Sequence, residues 1–317
     1  MHKQITLLLA AAFGSVTIAL STADAGAPAA PLAFTQARPG EFQFDTGVLR
    51  GKLRPSGKAL GLSSVVYIPA NAALDRGDRG YGLFSHYRVF SANKRYGTAA
   101  WDWPGTARLR DDGAVEVQWP ADKDRPFELS ARYRWSSPSA LDLETVVKAQ
   151  QDLPGFEVFL ASYFQEQFTN AVVYVRESSK GMPQPGFRAA EKPQGDWQMF
   201  PRDPAVLPLI NDGRWRLQPN PVNWAILPLL QKPLAVRRAP TTGLTAVLMA
   251  PPEDCFAIAM PYQTEGHYSI YLSLFGRDVK SGETARARAR LSIAVKPSDQ
   301  EVLELYGAYL NSLWNKP

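Results

Sequence analysis

The side chains best suited to chemistry gather between Phe84 and Pro104, where His86, Arg95 and Asp102 share a short stretch with Trp101 and Trp103. Flat indole faces stack on the C–H face of a sugar ring, while Arg, Asp and His hydrogen-bond its hydroxyls; an apolar wall with a few polar groups makes a small-molecule site. The competing reading packs Trp101 and Trp103 into the core of a large β domain. A second constellation is Glu265 and His267, separated only by Gly266. On extended backbone they share one face, and a carboxylate beside an imidazole is a working acid/base pair near neutral pH. His86 would join them across a sheet. The plainer alternative is a solvent-edge pair at a strand start. Asp102 and Glu191 offer a different geometry, two carboxylates flanking a glycosidic bond.

These groups need a scaffold, and the chain reads as strands. From Phe42 to Pro69, short β-branched and aromatic runs are punctuated by Gly47, Gly51, Gly57 and Gly61. Asp111-Asp112-Gly113 predicts a hairpin bend before Val115 to Trp119. Phe127 to Trp135 alternates apolar with polar residues as a half-buried antiparallel strand does. Leu141 to Val147, Phe156 to Phe164, Ala171 to Val175, Leu244 to Met249, Cys255 to Met260 and Tyr268 to Phe275 continue the series. Between 176 and 240 the rhythm fails: prolines recur from Pro183 to Pro233, so a folded insertion or long loop system with short helices is expected. Its tryptophans argue for order, and Glu191, Asp196 and Trp197 would lean over a binding cleft or pack against the sandwich. After residue 297, Ser298 and Glu301 form a capping box ahead of Val302, Leu305, Tyr306, Tyr309, Leu310 and Leu313 at helical spacing. An amphipathic helix should therefore close one side of the same domain.

Composition narrows the function classes. The 317 residues include 26 prolines and 23 glycines, 45% hydrophobic and 21% charged, as expected of a globular, turn-rich chain. The basic start Met1 to Gln4, the apolar run Ile5 to Leu20 and the small-x-small triplet Ala23-Asp24-Ala25 predict an export signal over 1–25. A membrane anchor is the competing reading, but the run falls short of a span of about 20 residues. Residues 26–40 would form a flexible lead-in, leaving no transmembrane anchor after cleavage and a periplasmic or extracellular protein. The lone Cys255 forbids an intrachain disulfide, and its apolar neighbours suggest a buried thiol. No Cys/His cluster implies zinc, and no cofactor or metal is called for. The net charge of +5 is conspicuous in Arg286, Arg288 and Arg290, which alternate with alanines. These form either a solvated outer strand face or a basic surface for acidic polysaccharide. Nucleic acid is not expected, since no binding module is present.

The order of motifs resembles the galactose mutarotase-like proteins of the aldose 1-epimerase superfamily. Asn93-Lys94-Arg95-Tyr96-Gly97 is similar to their early arginine-containing turn, and Asp112-Gly113 to Trp119 to their strand after Asp-Gly. Leu143 to Ala149, Pro154, then Ala161-Ser162-Tyr163-Phe164 resembles the passage that ends in their His-x-Tyr-Phe; Lys280 to Thr284 turns a late strand as theirs does. The resemblance covers about Gly40 to Val295. It implies an all-β, large antiparallel β-supersandwich over 41–296, to which the capping-box pattern adds a C-terminal amphipathic helix over 297–317. The aromatic and polar residues, with the matched motifs, point to a saccharide or polysaccharide ligand held by Arg95, Trp101, Asp102, Trp103, Tyr163, Glu191 and Trp197. Where that superfamily places its histidine acid, this chain has Ala161, so that acid does not carry over. Catalysis, if present, falls to His86, Glu265 and His267, giving an isomerase, hydrolase or lyase; the alternative is a non-catalytic envelope polysaccharide- or protein-binding module. Oligomeric state is left open by the sequence.

Overall fold

Alternation of apolar and polar residues builds the two large sheets. In Phe127–Ser137 the side chains of Phe127, Leu129, Ala131, Tyr133 and Trp135 are buried, with Glu128 and Arg132 exposed between them. In the computed structural model, which describes residues 32–92, 94–177, 184–263 and 265–314, this strand pairs antiparallel with Ala140–Ala149, and that strand with Thr284–Val295. They sit in a nine-stranded sheet completed by Gly186–Ala189, Asn170–Val175, Leu230–Arg238 and Leu244–Met249 on one side, and by Val115–Trp119 and Thr106–Leu109 on the other. The hairpin at Asp112-Gly113 forms as expected: Gly113 adopts a φ of 76°, which an L side chain resists, and its N–H donates to the Arg110 carbonyl.

The facing sheet has seven strands in the order Ala225–Ile226, Trp197–Pro201, Cys255–Pro261, Ser269–Val279, Leu153–Tyr163, Ser85–Ser91 and Lys94–Arg95. Between the two sheets Val158, Leu160, Ile258, Leu272 and Leu274 meet Leu129, Tyr133, Leu141 and Leu143 in one continuous apolar core. Truncating any of these buried side chains to alanine should cost about 2–5 kcal/mol. A five-stranded sheet, Thr35–Arg38 to Ala72–Ala73, closes against Trp135 through Phe34 and Phe44. The all-β sandwich expected from the sequence is the fold.

The proline-rich segment 176–240 departs from a detached insertion. It supplies Gly186–Ala189 and Leu230–Arg238 to the nine-stranded sheet and Trp197–Pro201 to the seven-stranded sheet. Residues between Arg202 and Trp224, with short helical turns at Pro204–Val206, Leu207–Ile210 and Arg214–Arg216, lie over the outer face of the seven-stranded sheet. The helix Asp299–Trp314 opens with the capping box: Glu301 accepts from the Ser298 N–H at 2.7 Å, and the Glu301 N–H donates to Ser298 Oγ at 3.2 Å. Its buried Val302, Tyr306 and Tyr309 pack on Leu234, Val236, Val247 and Met249.

Arg286, Arg288 and Arg290 face outward beside this helix, and each meets a carboxylate: Glu144, the pair Glu253 and Asp254, and Asp142. The ladder is a neutralised outer face, so its arginines do not make a surplus of positive charge. Among the described residues, no helix is long and apolar enough to cross a membrane. The expected export signal lies outside them.

Candidate functional site

A strand irregularity decides which side chains face the site. Along Ser85–Ser91, His86 pairs with Leu160 and Arg88 with Phe159, so one extra residue is accommodated between them. Such a bulge puts two consecutive side chains on one face. Tyr87 and Arg88 consequently share the outer face with Phe159, Tyr163 and Tyr271, while His86 and Val89 turn into the core.

Tyr87, Arg88, Phe159, Tyr163 and Tyr271 form the floor of a cavity of about 340 Å³. One wall is Trp101, which stacks on Tyr87 with centroids 4.5 Å apart and planes 2° from parallel. A second wall comes from the covering segment: Trp215 and Trp224 meet edge to face at 5.1 Å, and Asn220, Pro221 and Val222 complete it. Trp197 and His267 close the end, 5.4 Å apart. Tyr81, Tyr163 and His267 also border a second cavity of about 240 Å³ that reaches Arg76, Arg79 and Glu265.

Polar tips are set among these rings. Ser269 Oγ donates to the Tyr271 hydroxyl at 2.9 Å, which lies 3.3 Å from that of Tyr163. Burial raises the pKa of both phenols, Tyr163 well above the usual phenol value, so both stay protonated and able to donate. The Glu265 carboxylate accepts from the His267 backbone N–H at 2.9 Å and lies 2.8 Å from His267 Nδ1. A carboxylate on Nδ1 favours the tautomer with Nδ1 protonated, which leaves Nε2 as the basic nitrogen.

The sequence-derived candidates divide accordingly. Trp101, Tyr163, Trp197 and His267 line the cavity, and Glu265 joins through His267 and the second cavity. Glu265 and His267 meet in a bend ahead of Ser269–Val279, not on the strand itself. His86 does not join them. It is fully buried between the sheets, with Nε2 2.9 Å from Thr145 Oγ1 and its ring against Trp119, and burial pushes its pKa down to about 3. Trp103 is likewise a core residue, packed by Phe127 with the Arg125 guanidinium 4.3 Å over its ring. Asp102 and Glu191 are exposed and line neither cavity, so a flanking pair of carboxylates is absent from the site. Arg95 serves the wall: its guanidinium donates to the carbonyls of Pro219 and Thr98. Asn93 lies outside the described residues. Ala161 sits on the cavity-side face between Phe159 and Tyr163, where the resemblance would have placed a histidine. Sequence reasoning missed Tyr81, Tyr87, Arg88, Phe159, Trp215, Asn220, Trp224 and Tyr271 as site residues, although Tyr87 and Arg88 lie within Phe84 to Pro104.

Fold and cavity together define an all-β supersandwich with a ligand-sized aromatic cleft on the outer face of one sheet. No family profile and no curated protein matches the chain. Among solved structures it is similar to a structural genomics target from Synechocystis sp. PCC 6803, at 12% identity and a TM-score of 0.51, over 83% of this chain and 99% of that one. It is also similar to the alpha-N-acetylgalactosaminidase of Bifidobacterium bifidum in complex with GalNAc, at 12% identity and a TM-score of 0.52 over 85% of this chain. It spans 39% of that enzyme's length. A candidate aldose 1-epimerase from Klebsiella pneumoniae matches at 10% identity and a TM-score of 0.47, over 86% of this chain and 83% of that one. The likeness to the first two is one of fold alone, a large antiparallel β-sandwich.

Proposed function

We propose that this protein is exported and holds a saccharide in the cleft between Trp101 and the Trp215–Trp224 wall. The observation that carries the reading is the composition of the cavity: parallel and edge-on aromatic rings around a ligand-sized space, with phenol hydroxyls set into the floor. Rings of this kind take the C–H faces of a pyranose, and hydroxyl tips fix its orientation. The fold neighbours include a glycosidase, which agrees with that chemistry. The test is binding of the mature chain to a broad glycan array. Trp197→Ala and Trp224→Ala, both at partly buried rings, should lose the bound glycans while keeping the melting temperature within a few degrees. No glycan bound by the unmodified protein would end the saccharide reading. Export is tested separately: the protein recovered outside the cytoplasm should begin near Gly26.

One observation favours turnover over simple binding. Glu265 orients His267, and His267 borders both cavities, so a base and its positioning carboxylate stand beside any sugar in the cleft. Under this reading His267→Gln keeps glycan affinity and stops product formation, and Glu265→Gln lowers the rate with affinity unchanged. Absence of product from every bound glycan would leave a binding module.

A further inference from the structure

Four arginines of the described residues are buried, and they differ in how their donors are met. Arg214 is satisfied on all three nitrogens by Asp212 and Glu157. Arg237 gives one bond from each nitrogen to the carbonyls of Phe168, Ser269 and Gln263. Arg125 is paired with Asp122. Arg88 is only 4% exposed and uses Nη2 alone, toward the Tyr87 hydroxyl at 3.1 Å and the Asn220 carbonyl at 2.8 Å. Among the described residues its Nε and Nη1 have no partner, and no carboxylate bonds to it.

A buried cation that has neither a counter-ion nor acceptors for its N–H groups is costly, and folded proteins rarely leave one so; Arg237 also lacks a carboxylate, but carbonyls meet each of its nitrogens. Arg88 lies in the cavity floor, its guanidinium 4.9 Å from the Tyr87 ring centre and 5.5 Å from that of Trp215. Those rings offset part of the charge, but they accept no strong hydrogen bond. Among the described residues, no Asp or Glu lines the 340 Å³ cavity. Next to Arg88 stands Arg95, whose pKa is lowered to about 10 by burial first and by the Arg88 charge second, so positive potential concentrates at this end. The second cavity, beyond Tyr81 and Tyr163, adds Arg76 and Arg79 against the one carboxylate of Glu265.

We infer that the guest of this cleft is an acidic saccharide whose anionic group is the missing partner of Arg88. This rests on the saccharide reading and narrows it. A carboxylate or sulfate ester on the sugar would accept from Nε or Nη1 in a water-poor site, where charge-assisted hydrogen bonds are strongest. The rings meanwhile keep the pyranose face.

The experiment titrates the mature chain with uronate tetramers (galacturonate, glucuronate, mannuronate and guluronate), with their carboxyl-reduced neutral counterparts, and with sulfated forms of those neutral tetramers. At least one acidic tetramer should bind tenfold or more tightly than its neutral counterpart. Preference for the uronate identifies a carboxylate guest, and preference for the sulfated form a sulfate guest. Arg88→Met should abolish the preference, read as the ratio of acidic to neutral affinity in the variant; a ratio that stays tenfold or more in the folded variant overturns the inference. Equal affinity for acidic and neutral tetramers in the unmodified protein overturns this inference and leaves the saccharide cleft standing; that comparison needs no variant to fold. Binding to none of the tetramers and to no glycan of the broad array overturns both.

Discussion

His86 and Tyr87 are neighbours in the chain and belong to opposite worlds. His86 faces the core between the two sheets, where Thr145, Tyr133 and Trp119 enclose it and its imidazole is held neutral. Tyr87 faces the cleft, stacked on Trp101, its hydroxyl oxygen accepting from Arg88. The inner face of the seven-stranded sheet is largely aliphatic and filled; the outer face of the same strands carries the aromatic rings that border the cavity. A residue's type alone does not decide whether it reaches a ligand. The parity of its strand does, and here one bulge resets that parity.

That contrast is broken most forcefully from the inside. His86→Ala should cost about 2–4 kcal/mol, because it opens space beside Trp119 and leaves Thr145 without its partner; chemical denaturation reads the loss. Affinity per folded molecule should stay unchanged. An unchanged stability would mean that His86 is not the sealed residue described.

The next effect concerns pH. The folded-state pKa of His86 lies near 3 against an ordinary 6.5, so between those values the unfolded chain binds a proton that the folded chain refuses. Stability is therefore lost as pH falls from 6.5 toward 3. Asp75 acts in the opposite sense, because burial pushes its carboxyl from 3.8 up to about 6, favouring the fold as pH falls through that range. The difference between the parent and His86→Gln isolates the histidine: the variant should be less acid-sensitive by about 3 kcal/mol between pH 6.5 and pH 4. Parallel curves would refute it.

Seen from the outer face, Tyr87→Ala should weaken glycan binding about tenfold, roughly 1.4 kcal/mol, and lower the melting temperature by less than His86→Ala does. The reverse order of effects would exchange the roles of the two faces. Smallest of all, Ser298→Ala removes one half of the capping box and should cost about 1 kcal/mol without touching affinity. It serves as a control for a stability change remote from the cleft.

The scaffold was legible because its signals are local. Alternation in Phe127–Ser137, the Asp112-Gly113 bend and the Ser298/Glu301 cap each depend on residues a few positions apart, and each forms as read. Trp101, Tyr163, Trp197 and His267 were legible as aromatic and imidazole groups near turns and strand ends. Arg88 was hidden by the bulge: regular alternation would place it on the same face as His86, and the pairing of His86 with Leu160 but Arg88 with Phe159 is a property of two strands together. Trp215, Asn220 and Trp224 were hidden differently. Their position over the sheet is set by Arg95 and Arg88, which grasp the carbonyls of Pro219 and Asn220 from 124 and 132 residues away. Trp103 misled because it stands two residues from Trp101, yet the short turn Ala100–Asp102 sends the two rings to different places.

The cleft's floor is assembled from strands scattered along the chain, whereas most of one wall is a single continuous stretch from Trp215 to Trp224. Exchange of that stretch alone would give the same platform a different guest, with the sandwich beneath left intact. Diversification in proteins of this build is thus expected to run through the lid of the box and to spare its base.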